Sequence, residues 1–185
     1  MRRILALGLL LGFVTLLTGG SEIVHAQFGF QLAVAKIINV LDGDTFDVEY
    51  ISGGDELPTR IQTYAINTPD YFAGAAFSPP FIECYGEESA EIAEGLLMNR
   101  TVWIRHQEAT VEFAFIERLL ALIYLDADEI SLYQGIAMSQ GIAVRDLTLP
   151  EEQFLFPRLI QLEQEAEEAD RGIWGVCPHF FFQDR

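Results

Sequence analysis

Lysine is almost missing from this chain: Lys36 stands alone, and the ten arginines are scattered rather than clustered. Proteins that grip nucleic acid regardless of sequence normally do so through a basic stripe whose contacts release counterions. No such stripe is present. With 28 acidic residues the formal charge is −17, a surface that repels polyanions and anionic lipids, although physiological salt screens it beyond about 8 Å. Most of this charge serves solubility. Cysteine is scarce as well, with Cys84 and Cys177 the only two, and Cys177-Pro178-His179 is too little for a zinc site. Internal repeats, low-complexity tracts and long linkers are missing, so the chain reads as one domain. Neither a Ser-His-Asp nor a Cys-His arrangement is visible.

The amino terminus does carry an apolar run. Arg2-Arg3 precede Ile4 to Leu17, which is too short to span a bilayer, and Val24-His25-Ala26 supplies small residues at cleavage spacing. Residues 1–26 are therefore expected to be a signal peptide cut after Ala26, with a membrane anchor as the alternative. Removing those 26 residues from 185 leaves 159, enough for a self-sufficient core. Without Arg2, Arg3 and Glu22 the charge becomes −18. Export to a secreted, periplasmic or extracellular location means an oxidising compartment. A Cys84–Cys177 bridge is then expected, and two buried free thiols remain the alternative.

Residues 33–41 and 45–51 read as strands on either side of Asp42-Gly43-Asp44. Phe46, Val48 and Tyr50 alternate with Thr45, Asp47 and Glu49, the period-2 pattern of a half-buried strand. Further strands are expected at 59–66, 101–106 and 118–125, the last apolar on both faces and hence central. Helices are expected at 87–98, with Ala90, Ala93 and Leu97 as its stripe, and at 131–140, with a Ser131–Gln134 capping box and a stop at Gly141. A third is expected at 158–171, with Leu159, Leu162, Ala166 and Ala169 inward. Five short strands with three helices to one side suggest a small closed barrel under helical cover.

The richest chemistry lies in Asp42-Gly43-Asp44-Thr45 and, 22 residues later, Asn67-Thr68-Pro69-Asp70. Two carboxylates on a tight turn can hold a hard cation through oxygen. The second segment offers an amide oxygen, a carbonyl and another carboxylate. Together they could hold a metal and aim a water at a phosphate.

With these two segments, four other landmarks fall in order: Cys84-Tyr85-Gly86-x-Glu88, Arg118-Leu119-Leu120-Ala121, Gln140-Gly141-Ile142-Ala143, and Glu165-Ala166 through Gly172-Ile173-Trp174. The pattern resembles the staphylococcal nuclease (thermonuclease-like) family from about residue 33 to residue 176. The resemblance implies an α+β, mainly β fold: a five-stranded OB-fold barrel covered by three α-helices, here residues 27–178 with a tail at 179–185. In active members it implies calcium-dependent hydrolysis of DNA and RNA. Asp44 then matches the direct calcium ligand, Asp42 a ligand through water, and Thr68 a carbonyl ligand. Asp70 matches the carboxylate that orients the attacking water, and Arg118 one of two arginines that clamp the phosphate. Trp174 reads as a core plug.

Several positions depart from the family pattern. Asn67 replaces a second aspartate ligand, which lowers the charge of the metal shell and with it calcium affinity. Asp70 is one methylene shorter than the family's glutamate. Gln62 occupies the place of the other clamp arginine, and a neutral amide cannot pair bidentately with phosphate. Arg60, two residues earlier and displaced by roughly 6.6 Å on the same face, could substitute only through a bulge or shifted register. The basic or aromatic stretch before Arg118 is Ala114-Phe115-Ile116-Glu117, and Arg145-Asp146-Leu147 stands where active members carry a tyrosine, so stacking on single strands is thin. Phe115 is either a stacking residue or a buried anchor, and His106 is expected to be a satisfied edge residue. Two functions follow: a weakened calcium-dependent nuclease acting on DNA or RNA, and a catalytically inactive barrel serving as a binding or scaffold module. In both the mature chain is expected to be a monomer away from the membrane.

Overall fold

The computed structural model describes residues 31–72, 81–113, 116–146 and 156–177. The expected signal peptide with its cleavage site, Phe115, Leu147 and the Phe180-Phe181-Phe182 tail lie outside them.

The alternation read from the sequence builds the first hairpin. β1 (Gln31–Val40) buries Ala33, Ala35 and Ile37, and β2 (Thr45–Ser52) buries Phe46 and Val48 against them. Small residues at 33 and 35 let the strands curl tightly, and a register irregularity between Ile37 and Asn39 adds twist. β3 (Arg60–Thr63) pairs antiparallel with β2. The third strand, expected to run to 66, breaks where Ala65 takes φ 75°, a left-handed conformation. The chain then leaves the sheet as β4 (Ile66–Asn67). β5 (Tyr71–Phe72) and β6 (Phe81–Ile82) form a small ribbon that leads into α1 (Gly86–Leu97). β7 (Thr101–Phe113) and β8 (Ile116–Tyr124) follow; β7 is longer than expected. β8 pairs parallel with β3 and antiparallel with β7, and β7 pairs back onto β1. The hydrogen bonding thus closes a five-stranded barrel in the order β1-β2-β3-β8-β7, with β8 buried as its apolar pattern requires.

The helices pack as the stripes dictate. α1 buries Ala90, Ala93 and Leu97. α2 (Tyr133–Gln140) ends at Gly141 with φ 70°, the expected stop. Its start differs from expectation, since no side chain caps it. Gln134 is fully buried instead, donating from Nε2 to the Ala121 carbonyl (2.9 Å) and accepting the Ile123 N–H (3.3 Å). Tying α2 to β8 satisfies backbone groups inside the core, which outweighs a cap at the start of the helix. The Ser131 N–H goes to Asp126 at 2.9 Å. β9 (Val144–Arg145) pairs with β4. α3 (Phe156–Glu168) buries Leu159, Leu162 and Ala166, but Ala169 lies past its end and is exposed. A short fourth helix, α4 (Ile173–Val176), was not expected. With Ala166 and Cys177 it forms a second small core around Trp174. Cys84 and Cys177 are bridged, 93 residues apart with Cα atoms at 5.8 Å, and no described cysteine is free. No helix among the described residues is long and apolar enough to cross a membrane.

Candidate active site

The site begins at the β1–β2 turn. Asp42 Oδ1 accepts the N–H groups of Asp44 (3.1 Å) and Thr45 (2.7 Å), so this carboxylate shapes the turn that carries it. Gly43 is required by a close approach. A Cβ there would lie 2.8–2.9 Å from the Thr68 side chain. Beneath the turn the buried phenol of Tyr133 donates to the Gly43 carbonyl at 2.6 Å and stands edge-on to Phe46. Burial, reinforced by Asp44 and Asp42, pushes Tyr133 well above the ordinary phenol value, so it stays a donor.

Asp44 joins the two motifs. Its Oδ1 accepts the Thr45 hydroxyl at 2.8 Å, and its Oδ2 accepts the Thr68 N–H at 3.3 Å from 24 residues away. The turn and the Asn67–Asp70 segment therefore converge. Asn67 is half-buried, with its backbone paired to Val144. Asp70 is half-buried two residues beyond Thr68, and its N–H donates to Glu83 Oε2 at 2.9 Å.

Arg118 approaches from β8. It is 7% exposed, and its Nη1 donates to Thr45 Oγ1 (3.2 Å) and to Gln62 Oε1 (3.3 Å). Thr45 thus links guanidinium to carboxylate, accepting from Arg118 and donating to Asp44. Gln62, rather than Arg60, stands beside Arg118. The β2–β3 register runs Thr45 to Gln62, Phe46 to Ile61 and Asp47 to Arg60 without a bulge. Arg60 instead makes a two-point ion pair with Asp47 at 2.7 and 3.1 Å. Partial burial would raise the Asp47 pKa, but hydrogen bonds from Arg60 and Asn39 outweigh it and hold the carboxyl below its usual range. Arg145 is likewise engaged, with guanidinium and amide both donating to the buried Glu163. His106 is a correction: it is 1% exposed between Gln31 and Ala121, because a closed barrel leaves no edge for it.

Asp42 and Asp44 are each 4% exposed, side by side. Burial first, and the Asp42 charge second, raise the Asp44 pKa well above the ordinary carboxylate value. The nearby Thr68 hydroxyl is buried without a hydrogen-bond partner among the described residues. An all-oxygen donor set with crowded negative charge and an unsatisfied hydroxyl fits a hard cation. No group of three or more acidic, His or Cys side chains surrounds it among the described residues, so backbone and neutral oxygens would supply the remaining ligands.

One consequence can be measured without substrate. A carboxyl with a raised folded-state pKa binds more protons folded than unfolded, so stability falls as pH rises from the unfolded value of 3.8 through the folded one. Asp44→Asn removes that charge, and the Thr45 hydroxyl can reorient toward the new amide. In chelator the variant is expected to melt above wild type at pH 7, with the gain shrinking towards pH 4. An equal or lower melting temperature at pH 7 would contradict the buried-charge account.

Three of these contributors escape sequence reading: Tyr133, Thr45 as a bridge, and Glu83. Thr45 belonged to a noticed motif, whereas nothing local marks the other two.

Comparison with known proteins bears on the family. A protein of Bacillus anthracis described as uncharacterized is 22% identical over 148 residues, covering 80% of this chain and 64% of that one, so this chain spans less than two thirds of its relative. The profile of the family described as staphylococcal nuclease homologue matches residues 60–176, more than half of the chain, beginning after the acidic turn that the fold brings to Thr68. Arg118, Gln62 and the Asn67–Asp70 segment all fall inside that span, and the chain belongs to the staphylococcal nuclease family.

Proposed function

We propose that this protein is an exported, calcium-dependent phosphodiesterase of the thermonuclease type, cleaving DNA or RNA at a reduced rate. The observation that carries the reading is the chain from Arg118 through Thr45 to Asp44 and on to the Thr68 amide. It sets a fixed cation beside a buried acidic pair, the separation of charge that phosphoryl chemistry uses. Asp44 would hold the calcium, with Asp42, Asn67 and Thr68 completing the shell. When bound, the ion supplies charge neutralisation at the phosphate and a positioned water. Asp70 would orient an attacking water or take its proton, and Arg118 would donate to an equatorial phosphate oxygen. Gln62 offers the same oxygens only a neutral N–H.

The closed barrel with β3 parallel to β8 supports the OB-fold assignment. The Cys84–Cys177 bridge supports an oxidising destination reached after cleavage at Ala26, with residues 27–178 as the domain and a monomer as its state. A second reading, a non-catalytic binding or scaffold barrel, is favoured by Gln62, by Asn67 and by the acidic surface.

One assay separates the two. Mature protein is incubated with single-stranded and duplex DNA and with RNA, in calcium and then in chelator. Cleavage that chelator stops, and that is lost in Asp44→Ala, is the expected result. If no substrate is cut while calcium still raises the melting temperature, the binding module is the correct reading.

A further inference from the structure

Asp70 is held by a contact that the family pattern does not supply from sequence alone. Its N–H donates to Glu83 Oε2 and its carbonyl accepts the Glu83 N–H, both at 2.9 Å. A single residue thus grips both polar groups flanking Asp70. The grip continues in the β5–β6 ribbon, where Tyr71 faces Ile82. Gly86 closes against the same carbonyl: a Cβ there would meet the Asp70 oxygen at 2.5 Å, so only glycine admits this approach. Cys84, next in sequence to Glu83, is anchored to Cys177.

From this geometry we infer that Glu83 is a positioning residue that fixes the backbone of Asp70 and so the direction of its carboxylate. The inference deepens the phosphodiesterase reading and rests on it. The physical need is clear: a carboxylate one methylene shorter than glutamate reaches less far, and a side chain with fewer torsions is aimed mainly by its backbone. A misplacement of about 1 Å at such a group costs on the order of 10²-fold in rate. Glu83 itself touches no reacting atom in this account.

The test uses the full mature protein, with Glu83→Ala and Glu83→Gln, and reads two quantities. Amide hydrogen exchange at Asp70, followed by NMR without substrate, is expected to quicken by about ten- to a hundredfold in Glu83→Ala, the range of a charge-assisted hydrogen bond. In Glu83→Gln, whose amide oxygen still accepts, most of the protection should return. On DNA with calcium, kcat is expected to fall by about ten- to a hundredfold in Glu83→Ala with KM unchanged, and to recover largely in Glu83→Gln. Unchanged exchange in Glu83→Ala overturns the inference, as does faster exchange with unchanged kcat or an equal loss in both variants. Should wild type cleave nothing, the phosphodiesterase reading fails, and the exchange measurement alone decides whether Glu83 holds Asp70.

Discussion

Replacing Gln62 with arginine is expected to raise cleavage of single-stranded DNA by about 10²–10³-fold. That is the factor a preorganised charge donor at a phosphoryl transition state typically commands. The β2–β3 register sets Gln62 opposite Thr45, and its Oε1 lies 3.3 Å from Arg118 Nη1. An arginine grown from the same Cα would put a second guanidinium beside the first, so that under the proposed mechanism two charged donors would face the phosphate instead of one. The gain should appear in kcat rather than in KM, because the added interaction strengthens as charge develops. Like charges side by side carry a cost, so the variant is expected to melt below wild type without substrate. Arg118→Ala is the control and should lose about the same 10²–10³ factor. Steady-state kinetics on one oligonucleotide checks all three proteins. If Gln62→Arg cuts no faster while Arg118→Ala cuts far slower, the second clamp is not what this site lacks.

Opening the Cys84–Cys177 bridge is expected to have the largest effect on stability. It closes a loop of 93 residues, and by chain entropy such a crosslink contributes on the order of 4–5 kcal/mol. For a domain of this size that corresponds to a fall of roughly 10–20 °C in melting temperature. The bridge holds the amino-terminal side of α1 to the end of α4, around the small core of Ala166, Ile173 and Trp174. Loss of cooperativity should therefore start at the carboxy-terminal end. The double variant Cys84→Ala/Cys177→Ala, followed by calorimetry and by exchange in α3 and α4, checks the expectation. A shift of only a degree or two would mean that packing around Trp174 carries this region unaided. Two reactive thiols in the unreduced, unfolded wild type would show that the bridge does not form at all.

How far the site could be read beforehand depended on whether its signals were local. The acidic turn is written in four consecutive residues, and Asp42 shapes it through bonds spanning two and three positions. Arg118 announced itself only through its neighbours in the family pattern, since an arginine opening a strand has many uses. Arg60 was the ambiguous case. Arg60 and Gln62 lie two residues apart on one strand, and which of them meets Arg118 depends on a register that the sequence does not fix; in the structure Arg60 pairs with Asp47 across the strands and Gln62 meets Arg118. The Ser131–Gln134 spacing misled for a related reason: a capping box and a core bridge share the same letters. Burial of Gln134 against β8 chose between them.

Alternation at 33–37 and 45–50, the helical stripes of α1 and of the first three turns of α3, and the two acidic segments were determined by the order of amino acids. Each depends on backbone periodicity or on turns a few residues long. Closure of the barrel decided the rest. It set the Tyr133 hydroxyl under Gly43 across 90 residues, Arg118 against Thr45 across 73, and Asp44 against Thr68 across 24. Such contacts are fixed by which strands pair and in what register, a property of the assembled sheet that no local stretch of chain encodes.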